Sequence, residues 1–230
     1  MREGNNRTCQ LCTHGWDNFK NLTTEELEIV NEHRFEAGYL AGEIIMKQGS
    51  PCSNMIFLAS GIGKAYIEGI DGKRIIIGFL RPGDMLVGPG LYGNNRHNYS
   101  LSAITNLRAC FIDSAIIKEM VIKNGKFAEG LIKDISFKAE NTFQQLLNLT
   151  QKKMHGRLSD GLLYLSNELF KSDNFKCMLT RQELGEFTNM TKESVVRILN
   201  EFDKEGILKV NGDQIQILDM EKLEHISISG

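Results

Sequence analysis

The most informative part of the chain is residues 179–199, which read LTRQELGEFTNMTKESVVRIL. Thr180 and, three residues later, Glu183 form a capping box, which predicts the start of a short helix. Asn189 tolerates the left-handed backbone conformation that a tight turn often needs. Thr191 then has the side chain and the position to cap a second helix. Two short helices joined by a tight turn predict a helix-turn-helix.

The second of these helices has two chemically different faces. Apolar residues recur at helical spacing and predict its buried side: Val195, Ile198, Leu199 and Phe202. The opposite side carries Lys192, Glu193, Val196, Arg197 and Asn200. An exposed Glu–Arg pair one turn apart is often only a surface ion pair, worth about 0.3 kcal/mol. A capped pair of helices followed by a β-hairpin favours another interpretation, in which the exposed side reads double-stranded DNA.

This interpretation assigns roles by chemistry. Arginine suits bidentate contact with guanine, and a carboxylate accepts a hydrogen bond from the cytosine amino group. The amino terminus of the second helix suits a phosphate. The predicted DNA-binding residues are Thr180, Arg181, Thr191, Lys192, Glu193, Ser194, Val196 and Arg197. Residues 151–230 hold 11 Lys and Arg against 13 Asp and Glu, so a few well-placed cations, doubled by dimerisation, must attract the phosphates.

Composition narrows the class of protein. The 230 residues are 41% hydrophobic and 24% charged with a formal charge of −2, which is typical of a globular protein. No apolar run approaches the length of about 18 residues that spans a bilayer, so we expect a cytoplasmic protein with no membrane contact. Five cysteines are too few for a disulfide scaffold. The absence of G-x-S-x-G, H-E-x-x-H and a Walker loop argues against an enzyme.

The chain before residue 113 predicts an antiparallel β-structure. Glycines recur at intervals of 12, 11 and 11 residues between β-rich runs: Gly49, Gly61, Gly72 and Gly83. Asp71-Gly72 is a hairpin signal, and turns at this regular spacing suggest a barrel or sandwich. Asp113 is placed to cap a short helix, and Asn124-Gly125 predicts the C-terminal cap of that helix.

A longer helix follows and carries an apolar stripe with the a/d spacing of a two-helix seam. The stripe consists of Ala128, Ile132, Ile135, Ala139, Thr142, Leu146 and Leu149, with a side row at Leu131, Phe143 and Leu147. Such a stripe can pack on its own domain or on a second copy of the chain, and its length favours dimerisation. From residue 154 the chain reads as helical and then ends in a strand–turn–strand hairpin at 207–218.

In this order of segments the chain resembles the CRP/FNR superfamily of bacterial transcription regulators, nearly from end to end. Besides the helix-turn-helix, the matching motifs are Gly42-Glu43-Ile44-Ile45, Gly49, Phe57-Leu58-Ala59-Ser60-Gly61 and Pro82-Gly83-Asp84. The resemblance implies an α+β fold: an N-terminal antiparallel β-roll (double-stranded β-helix), a long dimerisation helix and a C-terminal winged helix-turn-helix. It also implies a homodimer on a near-palindromic site, base contacts by Glu193 and Arg197, and a contact with RNA polymerase.

We therefore predict four parts. These are a cysteine-bearing arm at 1–20, a cyclic-nucleotide-binding-like sensor domain at 21–125, a dimerisation helix at 126–153 and a DNA-binding domain at 154–230. Cyclic-AMP binders of the family hold the ribose with a glutamate and the phosphate with an arginine. The matching positions here are Gly88-Pro89-Gly90 and His97-Asn98, so cyclic AMP is not expected, although Arg96 is a nearby substitute.

The cysteines suggest a different signal. In the FNR branch, N-terminal cysteines and one β-roll cysteine hold an oxygen-sensitive iron–sulfur cluster. By that resemblance the candidate ligands are Cys9, Cys12 and Cys110. A further family cysteine falls at Asn18, so His14 or Asp17 is expected as fourth ligand, with Cys52 a more distant candidate and Cys177 expected in packing. The alternatives are a thiol–disulfide switch, or structural cysteines with an unidentified small ligand in the β-roll as the signal.

Overall fold

The computed structural model describes residues 16–86 and 89–230. Within these ranges the chain divides into two compact units. One contains the chain up to Glu68 together with Gly78–Glu140, and the other contains Gly69–Ile77 together with Asn141–Gly230. The four-part organisation predicted from the sequence stays a prediction. Across the described ranges, no helix combines the length and the apolar character needed to cross a membrane.

Antiparallel strands form the body of the first unit, apart from residues 74–77 of the fifth strand, which are grouped with the second unit. The strands are β1 Arg34–Tyr39, β2 Ile44–Met46, β3 Asn54–Ser60, β4 Gly63–Glu68, β5 Arg74–Leu80, β6 Met85–Leu86, β7 Ser100–Ala103 and β8 Leu107–Asp113. They form two four-stranded sheets with the orders β1-β8-β3-β6 and β2-β7-β4-β5, which confirms the predicted antiparallel β-roll. Gly61 shows why glycines mark the turns: its φ is +80°, and a Cβ there would lie 2.5 Å from the Asn106 carbonyl oxygen.

Two short helices flank these strands, and a third, longer helix follows. They are α1 Thr24–Glu32, α2 Ser114–Lys123 and α3 Gly125–Gln151. The Asp113 side chain caps α2 as predicted, by accepting from the Ala115 N–H. Helix α2 ends at Lys123 with Asn124 as its C-terminal cap, as predicted. Asn124 is extended, its Oδ1 accepts from the Phe127 N–H at 3.0 Å, and Gly125 is the first residue of α3, so Asn124 starts one helix as it ends another.

The amino-terminal half of α3 belongs to the core of the β-roll unit. Phe127 and Leu131 are buried there in one cluster with Trp16, Phe19 and Cys110. Leu131, which the sequence assigned to the side row of the apolar stripe, therefore packs against its own unit. For Leu131, the alternative that the stripe packs on its own domain, and not on a second copy of the chain, is therefore correct.

The 3-10 turn Asp17–Asn21 docks on the same part of α3. Asn18 is buried; its Nδ2 donates to the Phe127 carbonyl at 2.9 Å, and its Oδ1 accepts from Asn21 at 2.7 Å. Gly130 makes room for this side chain, because a Cβ there would lie 1.9 Å from the Asn18 Oδ1. The Trp16 indole N–H also donates to the Asp134 carboxylate. Asn18 thus has a structural role at the position where the resembled family has a cysteine.

The second unit contains the carboxyl-terminal elements. They are α4 Met154–Tyr164, continued by a π-helical turn Leu165–Phe170, then β9 Asn174–Lys176, α5 Arg181–Thr188, α6 Lys192–Lys204, β10 Leu208–Asn211, β11 Gln214–Ile217 and α7 Met220–Ser229. The hairpin β10–β11 confirms the predicted wing. Strand β9, which pairs with β11, was not predicted from the sequence. The prediction that the hairpin is the last element was wrong, because α7 follows it, with Asp219 as its N-cap.

Candidate nucleic-acid interface

The helix-turn-helix forms as its local sequence predicts. The capping box of Thr180 and Glu183 opens α5, and Asn189 adopts the left-handed conformation in the turn, with φ 51° and ψ 55°. Thr191 begins α6 by accepting from the Ser194 N–H at 3.2 Å. Gly185 lets the turn approach α5, because a Cβ there would lie 2.5 Å from a backbone carbonyl oxygen of the turn.

Helix α6 separates its two faces as expected. The apolar residues Val195, Ile198, Leu199 and Phe202 are all buried. The predicted contact residues of this helix are exposed, apart from Ser194, which is half-buried: Lys192, Glu193, Ser194, Val196 and Arg197. The structure therefore brings these residues and Thr191 together at the amino-terminal part of one helix face. That arrangement can present a cation, a carboxylate and free helix N–H groups to a duplex.

Arg197 has a different partner from the one that the sequence suggested. Within the described residues, its ion pair is with Glu201, one turn further along α6, and not with Glu193. The Arg197 Nη1 lies 2.7 Å from the Glu201 Oε1, and the His155 Nε2 lies 2.9 Å from the Glu201 Oε2. These two contacts, that of His155 first, lower the pKa of the Glu201 carboxyl. Glu201 was not predicted as a partner of Arg197, although its spacing of four residues from Arg197 is typical of an ion pair along a helix.

Arg181 holds the wing. Its Nη2 donates to the Gly212 carbonyl at 2.6 Å, which ties the first turn of α5 to the tip of the β10–β11 hairpin. Asp213, in the same tip, pairs with Lys176 of β9 at 3.1 Å. The predicted contact residues Thr180 and Arg181 therefore lie beside the wing, and Arg181 has a structural bond in addition to its predicted role on DNA.

The apolar stripe of α3 is largely exposed beyond the residues that pack in the β-roll. Ile132 is 63% exposed, Leu146 58% and Phe143 66%. Ile135 and Leu147 are exposed as well. Large, exposed apolar side chains at heptad spacing on one face of a helix are what a second helix covers in a two-helix seam.

The described cysteines occupy three different environments. Cys110 is buried in β8, opposite Glu36 and Phe57, and its Sγ lies 3.7 Å from the Arg34 Nη1. Burial raises the pKa of the half-buried Cys52 thiol and that of the buried Cys177 thiol. Thiols with raised pKa values are poor nucleophiles, and Cys177 packs behind the helix-turn-helix as expected.

The predicted metal ligands are described only in part. Cys9, Cys12 and His14 lie outside the described residues. Asp17 is exposed, and its carboxylate lies 2.5 Å from the Lys20 Nζ. In the part of the chain that is described, no group of three or more His, Cys, Asp and Glu residues could hold a metal ion.

The cyclic-AMP positions are also described in part. Gly88 lies outside the described residues, whereas Pro89 and Gly90 belong to a 3-10 turn. The Arg96 Nη1 donates to the Gly49 carbonyl at 2.7 Å, so its guanidinium has a backbone partner in this loop. Burial lowers the pKa of the half-buried His97.

Comparisons with known proteins match both units. The description "Cyclic nucleotide-binding domain" fits residues 37–124, and "Crp-like helix-turn-helix domain" fits residues 156–226. Electron transport regulator A of Shewanella oneidensis is 26% identical over 79% of this chain and 74% of its own length. The transcriptional activator protein anr of Pseudomonas aeruginosa is 25% identical over 86% of this chain and 83% of its own. The solved structure of FixK2 from Bradyrhizobium japonicum superposes with a TM-score of 0.76, at 22% identity, over 84% of this chain and 96% of that one.

A β-roll followed by a long helix and a winged helix-turn-helix defines a DNA-binding transcription regulator and not an enzyme. Both matched domains occur here in the order of one family. The chain belongs to the CRP/FNR superfamily of transcription regulators, and its relatives include anaerobic and electron-transport regulators. The resemblance that the sequence motifs indicated is confirmed.

Proposed function

We propose that the protein is a homodimeric regulator that reads a near-palindromic DNA site with two copies of α6. The observation that carries this proposal is the exposed face of α6, where Lys192, Glu193 and Arg197 follow a Thr191 cap. In each protomer Arg197 contacts guanine and Glu193 the cytosine amino group, while Lys192 and the helix N-terminus bind phosphate. Thr180, Arg181, Ser194 and Val196 complete the contact surface.

The proposed dimer uses the apolar stripe of α3. Its exposed residues from Ile132 to Leu147 are unpartnered large apolar side chains, and covering them removes apolar surface from water. A parallel seam places the two α6 helices on successive major-groove faces, with half-site centres about 34 Å apart. Dimerisation also doubles the phosphate-binding cations of a DNA-binding part that has more acids than bases.

In this proposal the parts of the chain have separate tasks. Residues 1–20 are the cysteine-bearing arm, 21–125 the sensor, 126–153 the dimerisation helix and 154–230 the DNA-binding domain. A signal in the first two parts changes the pairing of α3 and so the spacing of the α6 helices. The proposed place of action is the cytoplasm, with RNA polymerase as a further partner.

The proposed signal is redox or oxygen chemistry at the cysteines. An iron–sulfur cluster would supply sensitivity to oxygen or nitric oxide. Cys9, Cys12 and Cys110 would hold it, with His14 or Asp17 as fourth ligand. One feature of the described residues and one of the chain length support this assignment. Trp16 packs in the same core as Cys110, and a chain can span at most about 14 Å over the four steps from Cys12 to Trp16.

A largely buried ion pair lies beside Cys110. The Arg34 Nη1 lies 3.7 Å from the Cys110 Sγ and 2.9 Å from the Glu36 Oε1, and the Arg34 side chain is only 10% exposed. The Cys110 sulfur therefore lies in a partly polar environment rather than in a purely apolar one. Asp17 fits less well than a cysteine, because its exposed carboxylate is bound to Lys20. The alternative remains a small ligand in the β-roll, with the cysteines structural.

Two measurements test the proposal. Sedimentation of the protein with its DNA site should give two protomers per duplex, and a complex with one protomer would contradict the dimer. Protein purified without oxygen should be brown and hold about four irons per protomer with acid-labile sulfide. Cys110→Ala should lose that iron, whereas Cys177→Ala should keep it. Colourless, iron-free wild-type protein that still binds DNA would leave the small ligand or a thiol switch as the signal.

A further inference from the structure

We infer that Glu201 and His155 are positioning residues for Arg197, and that they set how strictly the recognition helix selects its base. This inference rests on the proposed contact between Arg197 and guanine. The two residues do not touch DNA in this account. They hold the Arg197 side chain, which contacts the DNA.

Glu201 is hydrogen-bonded to Arg197 on the exposed face of α6. The Glu201 Oε1 accepts from the Arg197 Nη1 at 2.7 Å. Side chains on a helix lean toward its amino terminus, so a carboxylate one turn further along leans onto the arginine. A guanidinium has five N–H donors in a rigid fork. One bond to Glu201 therefore leaves enough donors for a bidentate contact with a guanine edge, and Glu201 need not be displaced when DNA binds.

A second hydrogen bond, from His155, holds the Glu201 carboxylate in place. Its Oε2 lies 2.9 Å from the His155 Nε2. The His155 ring stands edge-on to the buried Phe202 ring, with the centroids 5.9 Å apart. Each carboxylate oxygen thus has its own partner, and a packed aromatic ring orients the histidine. An exposed arginine held in this way loses less conformational freedom on binding than a free one.

His155 lies close in the chain to the long helix α3. His155 lies in the first turn of α4, and α3 ends at Gln151. The residue that orients the base-reading arginine therefore stands at the entry to the DNA-binding unit.

The experiment measures base discrimination in full-length variants. The reference duplex is one that the wild-type protein selects from a random pool. It is compared with a duplex in which one base pair is changed. The changed position is the guanine that the Arg197→Ala variant no longer distinguishes from other bases. The variants are Glu201→Ala, Glu201→Gln, His155→Ala and the double variant His155→Ala with Glu201→Ala. The matched control is Glu205→Ala, which removes an equal charge one turn away, where Glu205 pairs with Lys222 at 3.3 Å.

We expect Glu201→Ala to lower discrimination about 5- to 10-fold, a part of what a bidentate arginine contributes. Glu205→Ala should leave base discrimination unchanged. Glu201→Ala and Glu205→Ala should change the affinity for non-specific duplex equally, because each removes one negative charge. Glu201→Gln keeps an acceptor for Arg197 and should stay within about 2-fold of the wild type. His155→Ala should cost about 2- to 3-fold alone and nothing further in the Glu201→Ala background.

The outcomes distinguish a failure of the positioning role of Glu201 and His155 from a failure of the base contact by Arg197. Equal discrimination by Glu201→Ala and Glu205→Ala would overturn the positioning role, and so would additive losses in the double variant. If Arg197→Ala lowers discrimination and Glu201→Ala does not, only this inference fails. If Arg197→Ala discriminates at every position as the wild type does, the proposed base contact itself is wrong.

Discussion

The protein exposes two surfaces of opposite character, the stripe of α3 and the outer face of α6. The α3 stripe consists of large apolar side chains such as Ile132, Phe143 and Leu146, which gain by leaving water. The α6 face consists of Lys192, Glu193 and Arg197, which gain only from a charged or hydrogen-bonding partner. The difference favours the two kinds of association that we propose for one chain: an apolar seam with its own copy and an electrostatic contact with DNA.

These two kinds of association respond differently to salt. Phosphate contacts release counterions, so affinity for DNA falls as salt rises. Burial of apolar surface has no such dependence and is strengthened by some salts. Raising the salt concentration should therefore separate the two events, with dimers that persist after DNA has dissociated.

The largest effect should come from breaking the apolar seam. Leu146→Asp places a carboxylate where the partner helix packs, and we expect the dimer to weaken at least about 100-fold because a buried unpaired charge is costly. Gln144→Asp adds the same charge on the other side of α3 and should leave the dimer intact. Sedimentation velocity over a range of concentrations measures both. A Leu146→Asp protein that dimerises as the wild type does would exclude this stripe as the interface.

The second effect concerns specificity on the α6 face. Arg197→Ala should lower the preference for the selected site over a scrambled duplex about 5- to 100-fold, the range for one lost bidentate base contact. Lys192→Ala should weaken binding to all duplexes alike and reduce the slope of log affinity against log salt by about 1 per protomer. Fluorescence anisotropy titrations at several salt concentrations distinguish the two. Equal behaviour of the two variants would contradict the assigned roles.

A third prediction concerns the side of α3 that meets the 3-10 turn of Asp17–Asn21. Gly130→Ala puts a Cβ 1.9 Å from the Asn18 Oδ1, and we expect the free energy of unfolding of the β-roll unit to fall by about 1–3 kcal/mol. Gly125→Ala meets nothing within 4 Å and should be neutral or stabilising by up to about 1 kcal/mol. Urea denaturation followed by Trp16 fluorescence measures both. Equal stabilities would show that the turn does not pack tightly on α3.

The smallest effect should come from the start of α6. Thr191→Ala removes the acceptor for the Ser194 N–H and should cost about 1 kcal/mol of stability, together with a modest loss of affinity for DNA. Thr23→Ala removes an equivalent cap from α1, where Thr23 accepts from the Glu26 N–H at 3.2 Å. Thermal unfolding should show similar losses in both variants. Only Thr191→Ala should weaken DNA binding, and a matching loss in Thr23→Ala would mean that the effect on DNA is indirect.

The helix-turn-helix was predictable almost residue by residue because its determinants are local. Capping at Thr180 and Thr191 and the left-handed turn at Asn189 depend on neighbours within four residues. The partner of Arg197 was not predictable in this way. Carboxylates stand one turn away on either side, at Glu193 and Glu201, and the one that pairs with Arg197 also contacts His155, which is 46 residues away in the chain.

Other elements escaped prediction because they depend on long-range packing. Strand β9 has three residues and becomes a strand by pairing with β11. Helix α7 buries only Leu223 and Ser227 among its ten residues, so its apolar pattern is weak. Asn124 ends α2 as predicted from Asn-Gly, but its second role at the start of α3, where its Oδ1 accepts from the Phe127 N–H, was not predicted.

The most direct test of the central claim is selection of binding sites by the full-length protein from a pool of random duplexes, with and without oxygen. The account predicts enrichment of two inverted half-sites with centres about 34 Å apart, each containing the guanine that Arg197 contacts. Enrichment of an isolated half-site, or no enrichment under either condition, would contradict a dimer that reads DNA through paired recognition helices.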